Sequence, residues 1–234
     1  MPLTDRLRGM GRALDRLIFP RAAVCMGCGD KSGCARDWLC DGCVQALDEL
    51  WCGGAPLPCV PPIERLFSAY LYRDPAAALV QALKYGSVGK LSEPMGGDMA
   101  EACACLTLSE ATLVVPAPMH PRRERHRGYN QAELLSREVA CRLGCAHARA
   151  LKKVRNTRQQ ARLDHAARAE NLQGSVAVCE DVRDRTVLLV DDVYTTGATM
   201  RVCAEALLAA GAALVYGLTY AFAGPCAEKW LRHG

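Results

Sequence analysis

Long apolar runs are missing from this sequence. No stretch approaches the roughly 18 consecutive apolar residues that a membrane-spanning helix needs, and the first residues lack the continuous apolar region of a secretory signal. A helical span and an exported chain are therefore not expected, and the expected compartment is the cytoplasm. Aromatic residues are also scarce, at 6% of 234 positions. Tyr129 is the single aromatic between His120 and Glu170, the most basic part of the chain, so an extended platform for stacking nucleic-acid bases is not expected there. Neither an internal repeat nor a low-complexity tract is present. With half of its residues hydrophobic, the chain is globular and long enough for one large domain and one small one.

Charge and cysteine are present in quantity and unevenly placed. The formal net charge is +4, yet His120–Glu170 alone holds thirteen Arg/Lys against five Asp/Glu. Such a segment either meets an anion or forms a solvated basic face. Of fourteen cysteines, seven fall between Cys25 and Cys59. In a cytoplasmic chain that density points to metal binding and buried thiols before disulfides. Cys25-x2-Cys28 and Cys40-x2-Cys43 are two CxxC pairs eleven residues apart, with Gly27, Gly29 and Gly42 allowing tight turns. Four thiolates so spaced suit a tetrahedral structural zinc, and a segment this poor in aliphatic residues needs such a staple to fold. Cys34, Cys52 and Cys59 have no CxxC partner and read as free.

Periodicity organises the rest. Leu3, Leu7, Met10, Leu14, Leu17 and Ile18 form one stripe of a helix ended by Pro20, with Arg6, Arg8, Arg12 and Arg16 off the stripe; this predicts a helix packed on the body of the protein. Asp5 and Asp15 argue against a transit peptide. The four prolines of APLPCVPPIE place a domain boundary near Pro62, dividing the chain into residues 1–62 and 63–234. Beyond it, LFSAYLY, TLVVPAP, TVLLV and ALVYGLTYAF read as strands. DPAAALVQALKYG, NQAELLSREVACRLG and GATMRVCAEALLAAG read as helices, the first running from Asp74 to Gly86. Strands alternating with helices predict an α/β fold with a parallel sheet.

In such a sheet ligands bind beyond the carboxyl ends of the strands. There the run VLLVDDVYTTGATM places Asp191 and Asp192, then a loop that opens a helix. Loop N–H groups and threonine hydroxyls at the positive end of a helix suit a phosphate monoester. The acids would repel that phosphate, so they serve another group, and adjacent carboxylates suit the vicinal diol of a ribose. The expected site is one for a ribose 5-phosphate: Thr195, Thr196, Gly197, Ala198 and Thr199 hold the phosphate, and Asp191 and Asp192 hold the 2′- and 3′-hydroxyls.

VLLVDDVYTTGAT closely resembles the signature of phosphoribosyltransferases that use 5-phosphoribosyl 1-diphosphate (PRPP). The cysteine segment, the ALKYG helix, VVPAPMHPRRERHRGYNQAELL, RNTRQQARLDHAARAENLQGS and the PRPP motif follow one another in the order of the ComF family of competence proteins, including its GntX-like members. The resemblance covers nearly the whole chain. It implies a type I phosphoribosyltransferase fold behind a zinc ribbon, magnesium bound mainly through the oxygens of PRPP, and a link to DNA uptake. Many relatives carry a second cysteine pair set where only Cys52 and Cys59 stand here. By the same resemblance, VVPAPMH is the loop that meets the pyrophosphate, shaped by Pro116, Ala117 and Pro118, with Lys84 adding charge. The basic stretch after it resembles the mobile loop that closes such sites, with Arg127, Gly128, Asn130 and Gln131 at the matching positions and Arg158 and Gln160 in the second stretch.

Two functions follow from this. One is a transferase in which a nucleophile displaces pyrophosphate from C1. No stretch reads as an acceptor pocket, and His120 and His126 are the nearby candidates for proton transfer, although a lone histidine is more often structural. The other is a PRPP sensor or accessory factor that contacts single-stranded DNA and competence DNA-uptake proteins, using the zinc ribbon and the basic segment to track phosphates.

Overall fold

The computed structural model describes residues 24–30, 38–85, 89–109, 111–154 and 175–224. The N-terminal helix expected over residues 3–18, Cys34, Arg158 and Gln160 lie outside them. Among the described residues no helix is long and apolar enough to cross a membrane.

The elements, in chain order, begin with α1 (Asp41–Asp48), β1 (Leu66–Leu71), α2 (Ala76–Tyr85) and α3 (Ser92–Ala102). They continue with β2 (Leu113–Pro116), α4 (Pro121–Arg127), α5 (Gln131–Leu143), β3 (Ala146–His147), β4 (Leu151–Lys153) and β5 (Val176–Val178). The last described elements are β6 (Thr186–Tyr194), α6 (Ala198–Ala209) and β7 (Leu214–Phe222). Five strands form one parallel sheet in the order β1-β7-β6-β2-β3, and β4 and β5 form a separate antiparallel pair.

The central strands are apolar runs and not alternating patterns because both sheet faces are covered. Val187, Leu188, Leu189 and Val190 of β6 are fully buried between Leu113–Pro116 on one side and Val215–Leu218 on the other. Helices α3 and α5 pack together, α3 against β1 and β7 and α5 against β2 and β6, whereas α6 packs on β5, β6 and β7. Helix α5 starts where Asn130 accepts the Ala132 N–H on its side chain and stops at left-handed Gly144.

Two differences from the sequence reading matter for the site. Strand β6 does not end at Val190 but runs on through Asp191, Asp192, Val193 and Tyr194, because β7 is long enough to pair with it as far as Phe222. The start of the basic stretch, Pro121–Arg127, is helical and not a loop. His120 is its N-cap, its Nδ1 accepting the Arg122 N–H at 3.2 Å. Helix α3 (SEPMGGDMAEA) escaped the pattern reading because its paired glycines are poor helix formers. The tertiary contact needs one of them, since a β-carbon on Gly96 would collide with Glu138 of α5.

The segment before Pro62 lies along the outer edge of β1. Cys52 N–H donates to Ala69 O at 2.9 Å and Leu57 N–H to Leu66 O at 2.7 Å, while Leu71 N–H returns to Leu50 O at 2.9 Å. An edge strand is thereby covered, and Cys25, Leu39, Cys43, Leu47 and Leu50 join the apolar core of the sheet.

Candidate functional site

Because successive strand residues face opposite ways, continuing β6 through the acid pair gives its two carboxylates different neighbours, although they stay close enough to interact. Asp192 turns toward α5 and the end of α2. Its Oδ2 accepts Lys84 Nζ at 3.0 Å and Gln131 Nε2 at 3.1 Å, and the residue is only 5% exposed. Asp191 turns to the α6 side, where Cys203 and Lys153 of β4 are its electrostatic neighbours. Its Oδ1 accepts the Asp192 N–H at 2.8 Å. Burial, then the neighbouring Asp192 carboxylate, raises the Asp191 carboxyl to about 8. Burial lowers Lys153, against the pull of Cys203 and Asp191.

The sign of the Asp191 shift gives a prediction. A carboxyl whose folded pKa lies above its unfolded value of 3.8 leaves the native state holding more protons than the unfolded chain. Its contribution to stability is present below the unfolded value and is lost as pH rises from there toward about 8. Asp191→Asn should therefore flatten the fall in stability across that window, by at most about 1.4 kcal/mol per pH unit. Urea melts of both proteins between pH 5 and 8 check this; parallel pH profiles would contradict it.

The residues at the RGxNQ positions each have a structural partner. The Arg127 guanidinium donates to Gln131 Oε1 and lies 5.1 Å from the centre of the Tyr85 ring. Tyr129 O–H donates to Leu83 O at the end of α2. Asn130 Nδ2 donates to Ala117 O at 3.0 Å. One short stretch thus ties the Pro116–Pro118 loop, the end of α2 and Asp192 into one frame. The Ala117 N–H also continues the sheet, donating to Val190 O at 2.8 Å. A cleft of about 240 Å³ opens beside this loop, lined among others by Pro116, Pro118, Met119, Asn130 and Arg149.

After β6 the chain turns through exposed Thr195 and Thr196 into α6. Gly197 caps that helix at φ +74°, and Thr196 Oγ1 accepts the Ala198 N–H at 3.4 Å. Gly197 is required by packing as well as by its dihedral. A β-carbon there would strike the Tyr194 hydroxyl and come within 2.8 Å of Val60 Cγ2. Tyr194 stacks on Phe222, and its hydroxyl accepts the Val60 N–H at 3.1 Å, so the proline-rich segment braces the turn. Lys84, Arg127, Pro116, Ala117 and Asp192 are brought together, and Asp191, beside Asp192, has Cys203 and Lys153 as its further neighbours. Tyr85, Lys153 and Tyr194 were not legible as site residues, since nothing local distinguishes them.

The four cysteines form a second centre. The Sγ atoms of Cys25, Cys28, Cys40 and Cys43 all lie within 4.8 Å of one another, and Cys28 and Cys40 are 3.8 Å apart. A tetrahedron with zinc–sulfur bonds of about 2.3 Å has edges of about 3.8 Å, so this donor set fits such an ion. Burial works to raise the Cys25 thiol, but backbone donors at Cys28, Cys40 and Gly27 outweigh it and hold the thiol at about 6. The Cys40 N–H approaches its sulfur at 3.2 Å. The cluster could hold a structural metal ion such as zinc. Cys52 and Cys59 instead donate to the carbonyls of Ser68 and Ile63.

A sequence model of the phosphoribosyl transferase domain matches residues 126–231. The DNA utilization protein YhgH of Salmonella typhi is 30% identical over 228 residues, covering 92% of this chain and 91% of that protein. Competence protein F of Haemophilus influenzae is 27% identical over 75% of this chain and 86% of its own length. Competence protein ComFC of Bacillus subtilis is 26% identical over 62% of this chain and 59% of its own. With the parallel sheet and the four-cysteine cluster, these matches define a phosphoribosyltransferase-like protein. The chain belongs to the ComF family.

Proposed function

We propose that this protein binds PRPP, with magnesium, at the carboxyl end of β6 and acts in DNA uptake, a role in keeping with relatives named as competence and DNA utilization proteins. The observation that carries the reading is Asp192, a buried carboxylate at the end of a strand, held by Lys84 and Gln131 and followed by a turn into the twelve-residue helix α6. In this reading Thr195, Thr196, Gly197, Ala198 and Thr199 receive the 5-phosphate. The ribose diol lies over the strand end between Asp192 and Asp191, and Pro116, Ala117, Lys84 and Arg127 face the diphosphate. Magnesium would be carried largely by the ligand's own oxygens, where it offsets charge on the leaving diphosphate. Zinc at Cys25, Cys28, Cys40 and Cys43 is structural, all four positions being filled by protein sulfur. We assign residues 1–62 to the zinc-bearing unit and 63–234 to the phosphoribosyltransferase-like unit, in a cytoplasmic protein.

Labelled PRPP, magnesium and a panel of nucleobases test the reading. Pyrophosphate release that depends on one acceptor makes the protein a transferase. Binding without release makes it a PRPP sensor or binding module, and a chain that binds no PRPP refutes the proposal.

Helix α4 favours an association with single-stranded DNA as well. Arg122, Arg123 and Arg125 are exposed there, whereas Arg127 turns inward to Gln131 and Tyr85. Replacing the three outer arginines with alanine should weaken oligonucleotides of every sequence alike. It should also flatten the salt dependence by about 0.7 in the log–log slope for each phosphate that is no longer neutralised. An unchanged slope in fluorescence titrations would place the DNA elsewhere on the protein.

A further inference from the structure

We propose that Lys84 is the resident counter-ion of Asp192 and that it changes partner when the site fills. The ribose hydroxyls take over the carboxylate, and the released ammonium goes to the diphosphate. This rests on the ribose 5-phosphate reading above and adds a coupling between the two ends of the ligand.

The two donors on Asp192 Oδ2 are held very differently. Gln131 is fixed at its other end, because its Oε1 accepts from Arg127, whose guanidinium lies over Tyr85. Gln131 also begins α5, next to Asn130, which holds both the helix cap and the Ala117 carbonyl. Lys84 is a single charged group on a flexible four-carbon stem, in the last turn of α2 where the helix dipole favours a cation. Its side chain is 20% exposed, that of Asp192 only 7%, so the lysine has the open side and the acid does not. Of the two, the lysine is the partner that can leave.

The chemistry favours an exchange of this kind. A carboxylate that receives two hydroxyl donors no longer needs an ammonium, and a diphosphate arriving beside the Ala117 loop brings negative charge that does. Asn130 and Gln131 are adjacent and reach that loop and Asp192 respectively, so Lys84 stands between the two ligand subsites. Filling either subsite should then favour the other, and linkage makes the effect reciprocal.

The test uses magnesium pyrophosphate and ribose 5-phosphate as separate probes in calorimetry of the full chain. In the parent, ribose 5-phosphate should tighten pyrophosphate binding by about tenfold, within the usual range of such couplings. Asp192→Asn should bind pyrophosphate more tightly than the parent without the sugar, and the coupling should vanish. Lys84→Gln should weaken pyrophosphate and abolish coupling, while Lys84→Arg, which keeps the charge, should retain both. The decisive comparison is the double variant. If the gain in Asp192→Asn comes from a freed Lys84, it should largely disappear in the Lys84→Gln background. Coupling that survives in Lys84→Gln, or a gain of the same size in both backgrounds, would overturn the proposal. If the parent binds both probes without coupling, the exchange fails alone. If it binds neither, the ribose 5-phosphate reading fails with it.

Discussion

Serine at any one of Cys25, Cys28, Cys40 or Cys43 is expected to release the metal and unfold the N-terminal segment. Structural zinc contributes roughly 10–16 kcal/mol of apparent binding free energy to small domains, far more than one short helix and two turns could replace. The consequence should not stop at the cluster. Residues 50–57 cover the edge of β1 through bonds at Leu50, Cys52 and Leu57, and Leu47 and Leu50 belong to the same core as the sheet. Loss of the cluster should therefore expose β1 to exchange while Val187–Val190, in the middle of the sheet, stays protected. Elemental analysis together with amide hydrogen exchange reads both effects. Protein purified without chelator that carries no zinc would refute the assignment, and protection of β1 unchanged in the serine variants would refute the coupling.

The second large effect is expected at the strand–turn–helix. Asp192→Asn removes a charged acceptor, and losing such a hydrogen bond costs about 1.5–3 kcal/mol, roughly tenfold to a hundredfold in affinity. PRPP binding should fall by that factor. Asp191→Asn should do the same only above about pH 8, where the Asp191 carboxyl ionises. Inorganic phosphate should be kept or bound somewhat better, since a repelling charge has gone. Gly197→Val acts through a different cause. The position has φ +74°, which a β-branched residue adopts only at a cost of about 1–3 kcal/mol, and the new side chain would meet Tyr194 and Val60. This variant should lose phosphate and PRPP together, and its melting temperature should fall because the Tyr194–Val60 brace is disturbed. Calorimetry with both ligands and a thermal melt separate the two patterns. An Asp192→Asn variant that binds PRPP as the parent does would mean that this acid does not hold the ribose.

How much of this could be read in one dimension depended on the range of the interactions concerned. The parallel sheet was legible in Val187–Val190 and Leu113–Pro116, because a strand buried on both faces must be apolar at every position. Helix α5 was legible because its cap and stop are local, Asn130 and Gly144. The cysteine cluster was legible for the same reason, since a CxxC turn is set by neighbours and a set of four thiols by their chemistry. Helix α3 was not, because Gly96 is there for packing on Glu138 and not for helix propensity.

The site divides along the same line. The sequence by itself determined which groups are present: two adjacent acids, a threonine-rich turn, a basic stretch and four thiols, and with them the family. The tertiary structure alone decided how the groups are shared. Pairing with β7 extends β6 through Asp191 and Asp192, and the two-residue period of a strand then gives the two carboxylates different neighbours. The same packing brings Lys84 to Asp192 and the Arg127 guanidinium to Tyr85, and ties Tyr194 to Val60 across 134 residues of chain. Register and long-range packing are set by the chain alongside, so no local pattern around Asp191 and Asp192 could have shown which partner each acid would find.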